Sequence, residues 1–533
     1  MQEAADVEQD APASGGDRWS AEVGRLVRRL VRRPRLASAP TARAVSLGVL
    51  GVVVLSAGMS LYLAVRQPPY RTDESSQVGY VLSLRSGTLP SLDTLVPASA
   101  GGEMLEFAVG RPWPFSVPNI HTAINPPFVY AASIVPATLT DAAGVRAGPL
   151  LGVRLVNVLG TGLAVYLVYR MARELAADRV VGLLAAALVG TLASQVQAGA
   201  FAYLEGPALA ATTGVAWWLA RFVRSRTTLN ATGLGLWCAA AAGVRTMSFA
   251  YAAAAGAIAL GVAVATIHRD RWLPFALRIG VPTVVLVGWF YAVNVARYGE
   301  PTGSGEVYES IGEGPSFLSV LFGVDSYAAP IDYMIFEIPG TRGWWEVPAT
   351  RQWLVAALSV VVVASAMLLL RNRARTGADA ADGAGIGRAP HLGSWWALLG
   401  ASVLPPIVLS AHVANGGAGH PRYLAPLVPV LATAVAVVVA RAGRAVSLVV
   451  VVATVGLLCH RVSILGPQHD DSLFPALRGP ILDRPLRFAV LAVALAGGVL
   501  LIGAHLWLAL PSGRRPGRAS SDAPDAPTIP VGA

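Results

Sequence analysis

The chain contains no lysine, so all 41 of its fixed basic side chains are arginines. Any side-chain cation that holds a phosphate here is therefore a guanidinium, a planar fork that can grip two oxygens at once. Charge of either sign is scarce, at 14% of residues, where soluble domains carry roughly 25%. That scarcity excludes an ordinary soluble domain. Cysteine is nearly missing as well. Cys238 and Cys459 both fall inside apolar runs without metal-ligand spacing, so neither a disulfide framework nor a zinc site is expected. No convincing internal repeat is visible either, which weakens a transporter reading.

What the sequence does have is long apolar runs. Ala44 to Val65 carries no charge, and about 20 such residues cross a bilayer core. The polar lead before it exceeds the length of a secretory signal and the run itself is too long for one, so it reads as an anchored span. Spans are expected near 44–65, 148–169, 180–198, 200–220, 230–247, 248–267, 279–296, 353–370, 394–411, 423–440, 445–460 and 488–510. The pattern predicts an all-α, polytopic membrane protein with about 12 transmembrane helices. Nucleic acid is excluded as a partner despite the net charge of +10, because the arginines cluster at the ends of apolar runs.

Topology follows from those arginines. With the N-terminus placed inside, alternation puts Tyr169-Arg170-Met-Ala-Arg173, Arg221-Phe-Val-Arg224-Ser-Arg226, His268-Arg269-Asp-Arg271, Arg371-Asn-Arg373-Ala-Arg375, Arg441-Ala-Gly-Arg444 and Arg514-Arg515 in the cytoplasm. Each is Arg-rich, as the positive-inside rule requires. A multi-pass plasma-membrane protein with both termini cytoplasmic is expected. Residues 1–43 divide into a disordered acidic start and a basic stretch, Arg25 to Arg35, that reads either as an interfacial helix on an anionic leaflet or as a plain anchor. Residues 44–510 form the transmembrane domain, with a cytoplasmic linker over 371–392 and a disordered tail over 511–533.

The opposite, exoplasmic face receives the long loops 66–147, 297–352 and 461–487, so chemistry is expected there. Four features fall on it. Asp73 and Glu74 follow the first span, in Tyr70-Arg-Thr-Asp73-Glu74-Ser-Ser-Gln77. His121-Thr-Ala-Ile-Asn125-Pro126-Pro127 precedes the second. Tyr203-Leu-Glu205 lies where the third turns into the fourth, and His420-Pro-Arg422-Tyr423-Leu-Ala-Pro426 heads the tenth. Arg245 occupies a further turn on the same side. Adjacent carboxylates at a membrane surface suit a catalytic base, and outer arginines suit a phosphate.

Each feature has a plainer reading. The acidic pair also suits a solvated loop or a helix cap, and Asn125-Pro126-Pro127 a simple chain break. Glu205 also reads as a surface carboxylate and Arg422 as a snorkelling residue. The Trp344-Trp345 and Trp395-Trp396 pairs mark membrane interfaces. The loop 297–352, with Glu306, Glu309, Glu313, Asp325 and Asp332, reads as a lid or as a connector. A divalent metal is possible on such carboxylates, though no ligand spacing demands one.

Taken in order, the acidic pair, Gly79-Tyr80, Gly87-Thr-Leu-Pro90, the His-x-x-x-Asn-Pro-Pro run and the Arg-Tyr-x-x-Pro run resemble the GT-C glycosyltransferases. The resemblance is to the branch of protein O-mannosyltransferases and lipid A aminoarabinose transferases, and it covers roughly 44–440. It implies a GT-C-like fold with juxtamembrane helices in the first exoplasmic loop. It also implies transfer of a sugar, hexose or pentose, from a polyprenyl-phosphate donor to a cell-envelope acceptor (glycan, lipid or protein hydroxyl), with inversion at the anomeric carbon. By the same resemblance Asp73 is the general base and Glu74 the second acidic position. Arg422, Tyr423, Arg245, His121, Asn125, Glu205 and His420 are then donor-phosphate and substrate contacts. The rival classes are a transporter or lipid flippase and an envelope polymer ligase.

Overall fold

The computed structural model describes residues 39–67, 74–97, 100, 119–267, 272–305, 314–323, 360–371, 391–416, 421–464 and 480–510. Asp73 and His420 lie outside these residues, as do the basic stretch 25–35, Trp344-Trp345, the carboxylates of 306–332, the linker past Arg371 and the tail, and so does the side chain of Arg422.

The described chain is helical, and its one strand-like feature is a single antiparallel bridge between Leu95 and Asn119. In order the helices are α1 (Ala39–Arg66), α2 (Glu74–Arg85), α3 (Phe128–Ala142), α4 (Gly148–Ala176), α5 (Arg179–Gly190), α6 (Ala193–Ala200), α7 (Glu205–Arg224), α8 (Thr228–Ala242) and α9 (Thr246–Thr266). There follow α10 (Trp272–Tyr298), α11 (Phe317–Phe322), α12 (Val360–Arg371), α13 (Leu392–Ala401), α14 (Leu404–Ala414), α15 (Val428–Ala442), α16 (Arg444–Ile464) and α17 (Arg484–Ala509). Short 3-10 turns occupy His121–Ile124 and Pro421–Leu427.

The expected spans coincide largely with helices among the described residues, the one at 353–370 being described from Val360 onward. Among the described residues, eight stretches are long and apolar enough to cross a bilayer, and a ninth if α5 and α6, bent by 61°, are one broken span. The expected count of twelve is not reached on that criterion. α7 carries Glu205, Arg221 and Arg224, α8 has 15 residues, and α12 is described over Val360–Arg371 alone. The first long loop holds α2, the His121–Ile124 turn and α3, in line with the expected juxtamembrane helices.

In lipid, apolar surface alone does not drive helices together, so close backbone approach does much of the holding. Small residues provide it. A Cβ added at Gly152 of α4 would overlap the backbone of Ala137 in α3, one residue past the in-helix Pro136. One at Gly160 would overlap Pro207 of α7, and one at Gly206 the carbonyl of Asn157. α1 and α17 meet in the same way, a Cβ added at Gly51 coming within 2.7 Å of the Gly497 carbonyl oxygen.

Helix starts are set by side-chain caps. Asp178 Oδ1 accepts from the Val180 amide at 2.8 Å, and Thr227 Oγ1 from that of Asn230 at 3.2 Å. His391 caps α13, its Nδ1 accepting from the Ser394 amide at 3.2 Å, which requires the neutral ring. Burial, and then Arg224 and Arg226, hold its pKa below the ordinary histidine value. A histidine depressed on folding contributes stability above its unfolded pKa, near 6.5, and loses it as pH falls toward the folded value. Thermal unfolding between pH 7 and 5 should therefore drop more in the wild type than in His391→Asn, which keeps an uncharged cap. Equal slopes would show that this cap does not titrate.

Candidate active site

The site grows from one piece of irregular backbone. Between α6 and α7 the chain runs from Phe201 to Leu204 without helical bonding, and Leu204 sits in the left-handed region at φ 63°. Open backbone enclosed in a helix bundle must find partners within the protein. Three side chains provide them. Asn157 of α4 donates through Nδ2 to the carbonyls of Ala198, at 2.7 Å, and Phe201, and its Oδ1 accepts from the Gly206 amide at 2.7 Å. Glu74 Oε1 accepts from the Ala202 amide at 3.0 Å. Arg245 Nη2 donates to the Tyr203 carbonyl at 2.6 Å.

Behind them stands Arg154, two turns into α4. It grips Glu74 with both arms of its fork, Nε to Oε1 at 2.8 Å and Nη2 to Oε2 at 2.7 Å. Both side chains are 0% exposed. Arg154 Nη1 also donates to the carbonyl of Ala64 in α1, and the guanidinium lies 5.8 Å from the Phe201 ring centre. Stripping water from two ions costs several kcal/mol each, and the bidentate pairing with further hydrogen bonds offsets it. α1, α2, α4 and the 201–204 segment are thereby tied at one point.

Glu74 was expected beside Asp73 on a polar surface loop. It is instead sealed inside the bundle with both oxygens engaged, which makes it an anchor for the start of α2. The other expected pair is also joined. Arg245 reaches Glu205 at 3.0 and 3.1 Å, with side chains 12% and 8% exposed. The Arg245 cation is thus already matched by a carboxylate.

The His121 run is stitched to α2. Ser76 Oγ lies 2.9 Å from Thr122 Oγ1 and accepts from the Thr122 amide at 3.2 Å. Tyr80 donates to the Asn125 carbonyl at 3.0 Å and stacks on Tyr130, with ring centres 4.0 Å apart, while Tyr130 donates to Gln77 at 2.7 Å. Burial, reinforced by Tyr130, pushes the Tyr80 phenol above its ordinary pKa, so it stays a donor. α10 closes this side: Asn294 Nδ2 donates to the Ile124 carbonyl at 3.3 Å, Arg297 Nη1 to that of Pro90 at 2.7 Å, and Tyr298 accepts from the Leu92 amide at 3.0 Å. The Gly87-Thr-Leu-Pro90 run is thus held beside the same cluster.

Of the expected residues, Glu74, His121, Asn125, Glu205 and Arg245 are gathered at one end of the bundle. The turn that carries Tyr423 packs against α7, α9 and α14, and the Tyr423 ring meets His412 edge-on at 4.6 Å. Reading by motif missed Arg154 and Asn157. Arg154 had a signal, being a charge well inside an apolar run, where ionisable residues are rare and tend to be functional. Among the described residues no three His, Cys, Asp or Glu side chains group as a metal site. The two described carboxylates here each face an arginine, a donor set that does not suit a cation.

No family model matches this sequence, and no curated protein matches it. Among solved structures the fold is similar to ArnT from Cupriavidus metallidurans. Bound to undecaprenyl phosphate, that protein aligns at 17% identity over 88% of this chain and 72% of its own, with a TM-score of 0.44. Its apo state aligns at 16% identity over 89% and 76%, with a TM-score of 0.45. The archaeal oligosaccharyltransferase AglB from Archaeoglobus fulgidus, in complex with an inhibitory peptide and a dolichol-phosphate, aligns at 13% identity, with a TM-score of 0.35. This chain covers 56% of AglB, and 86% of its own length is aligned.

Proposed function

We propose that this protein is a GT-C-type glycosyltransferase that moves a sugar from a polyprenyl-phosphate donor to a hydroxyl of a cell-envelope acceptor, on the exoplasmic side of the membrane. One observation carries the reading. Three sequence runs far apart in the chain, around Glu74, His121–Asn125 and Tyr203–Glu205 with Arg245, meet at one end of the helix bundle. The first two are among the runs on which the resemblance to those enzymes rests, and all three meet at the end of α4 and α7 opposite their Arg-rich ends.

In this reading Asp73, immediately before the anchored Glu74, is the general base. It takes the proton of the acceptor hydroxyl while that oxygen forms a bond to the anomeric carbon. The bond from that carbon to the phosphate oxygen breaks, and polyprenyl phosphate leaves as an anion that needs no acid. Such a reaction asks chiefly for positioning and for cations at the leaving phosphate. Arg422 and His420 are assigned to it. Arg245 joins them when the phosphate takes the place of Glu205 on its fork. His121, Asn125 and Tyr423 line the sugar side. A single displacement inverts the anomeric carbon, and a product with retained configuration would overturn that step.

The test is release of polyprenyl phosphate by the purified protein supplied with a panel of polyprenyl-phosphate sugars and acceptors. Asp73→Asn should lower the rate about 10²–10⁴-fold, the range for a general base, with the unfolding temperature unchanged. Full activity in that variant would remove Asp73 from the mechanism. A lipid flippase is the second reading, favoured by the 61° break between α5 and α6 and by the buried Glu74–Arg154 pair, since transporters use broken helices and intramembrane charges. It requires movement of intact donor across a vesicle membrane with no release of phosphate.

A further inference from the structure

A groove of about 480 Å³ opens between α8 and α10, lined by Thr232, Leu273, Pro274, Leu277, Arg278 and Val281, with Pro282 at its base. The volume lies within the ~300–1,000 Å³ typical of ligand clefts. It sits far from the carboxylate cluster. α10 has 27 residues, or about 40 Å of helix, and its Tyr298 end is the one tied to the site. The groove is at the Trp272 end.

Arg278 is the feature that needs an explanation. It is exposed, six residues into α10, or about 9 Å along the axis. A helix of ~40 Å overhangs a ~30 Å hydrocarbon core by about 5 Å at each end. The Arg278 backbone therefore lies just inside the acyl region. Its Nη1 turns back to the Pro274 carbonyl at 3.0 Å, four residues nearer the surface, which places the guanidinium at phosphate depth. Thr232, four residues into α8 from the same end, stands at a matching level across the groove. α8 and α10, which line the groove, contain no Asp or Glu, so they hold no carboxylate for that cation. Further in, the wall is purely apolar.

The backbone keeps the groove in shape. Pro282 lacks the amide that would bond to the Arg278 carbonyl. At that level Gly235 of α8 comes so close that a Cβ on it would overlap the same carbonyl. The helices touch there, and on the α7 side Phe222 meets Phe275, with ring centres 6.0 Å apart.

We infer that this groove holds one anionic glycerophospholipid from the leaflet opposite the Glu74 site, its phosphate on Arg278 and Thr232 and one acyl chain along Leu277, Val281 and Pro282. The combination selects the ligand: one fixed cation, a hydroxyl at the same depth, and an apolar trough leading from them to the midplane. The inference does not depend on the transferase reading.

The test is native mass spectrometry of the full chain in detergent, titrated with dioleoyl phosphatidylglycerol and, separately, dioleoyl phosphatidylcholine. One phosphatidylglycerol should be retained more tightly than phosphatidylcholine. Arg278→Gln should weaken that binding about tenfold, the loss expected for a charge-assisted contact. Val281→Trp fills the trough, keeps the arginine and should lose the same lipid, while Arg444→Gln at the same end of the bundle should retain it. Thermal unfolding of each variant checks the fold. Wild-type retention by either groove variant, or equal loss in Arg444→Gln, overturns the assignment.

Discussion

Arg154→Met is expected to remove about 3–5 kcal/mol of stability, the usual effect of breaking one side of a buried ion pair. The methionine fills much of the space, but Glu74 is left charged at a point with no access to water. Glu74→Gln strands the arginine and should cost a similar amount. The double variant, Glu74→Gln with Arg154→Met, should recover a large part of the loss, because no uncompensated charge then remains. Thermal unfolding in detergent across this double-mutant cycle reads the coupling directly. Strictly additive losses would show that the two side chains do not act as a pair.

Asn157→Leu comes next in size. The leucine leaves the carbonyls of Ala198 and Phe201 and the amide of Gly206 without their partner. An orphaned buried group costs roughly 1–3 kcal/mol, so a loss of about 3 kcal/mol or more is expected. Asn157→Asp separates the contributions: it keeps the acceptor for Gly206 and loses the two donors. If Asn157 organises the 201–204 segment, Asn157→Leu should also open the bond between that segment and Glu74, seen as faster amide exchange at Ala202. Unchanged exchange at Ala202 would confine the role of Asn157 to packing between α4 and α7.

The sequence conveyed the spans well because their signal is local. A charge-free run from Ala44 to Val65 can only be a membrane helix or a deeply buried one, and Arg clusters at alternate ends order the runs in space. It conveyed the break between α5 and α6 poorly. The run 180–198 is apolar at the scale of a hydropathy window, and at the bend Thr191 and Leu192 leave the helix, ahead of the segment in which Ala202 meets Glu74 and Phe201 meets Arg154. The site was half legible. Residue types and their order located Glu74, His121, Asn125, Glu205 and Arg245 on one face. Their neighbours were hidden, because Arg154 approaches Glu74 from a different helix, 80 positions along the chain. A carboxylate that looks like half of an exposed acidic pair thus changes meaning once its partner is known.

The glycine contact between α1 and α17 has a consequence for how the molecule is made. Gly51 and Gly497 face one another across two helices separated by nearly the whole described chain. The ribosome delivers α1 long before its neighbour exists. A growing chain therefore carries an unfilled seam on its earliest helix while every intervening helix is inserted, and the seam closes only when α17 arrives. Pairings of such long sequence separation form late and slowly. A chain that ends before residue 484 leaves the Gly51 face of α1 without α17.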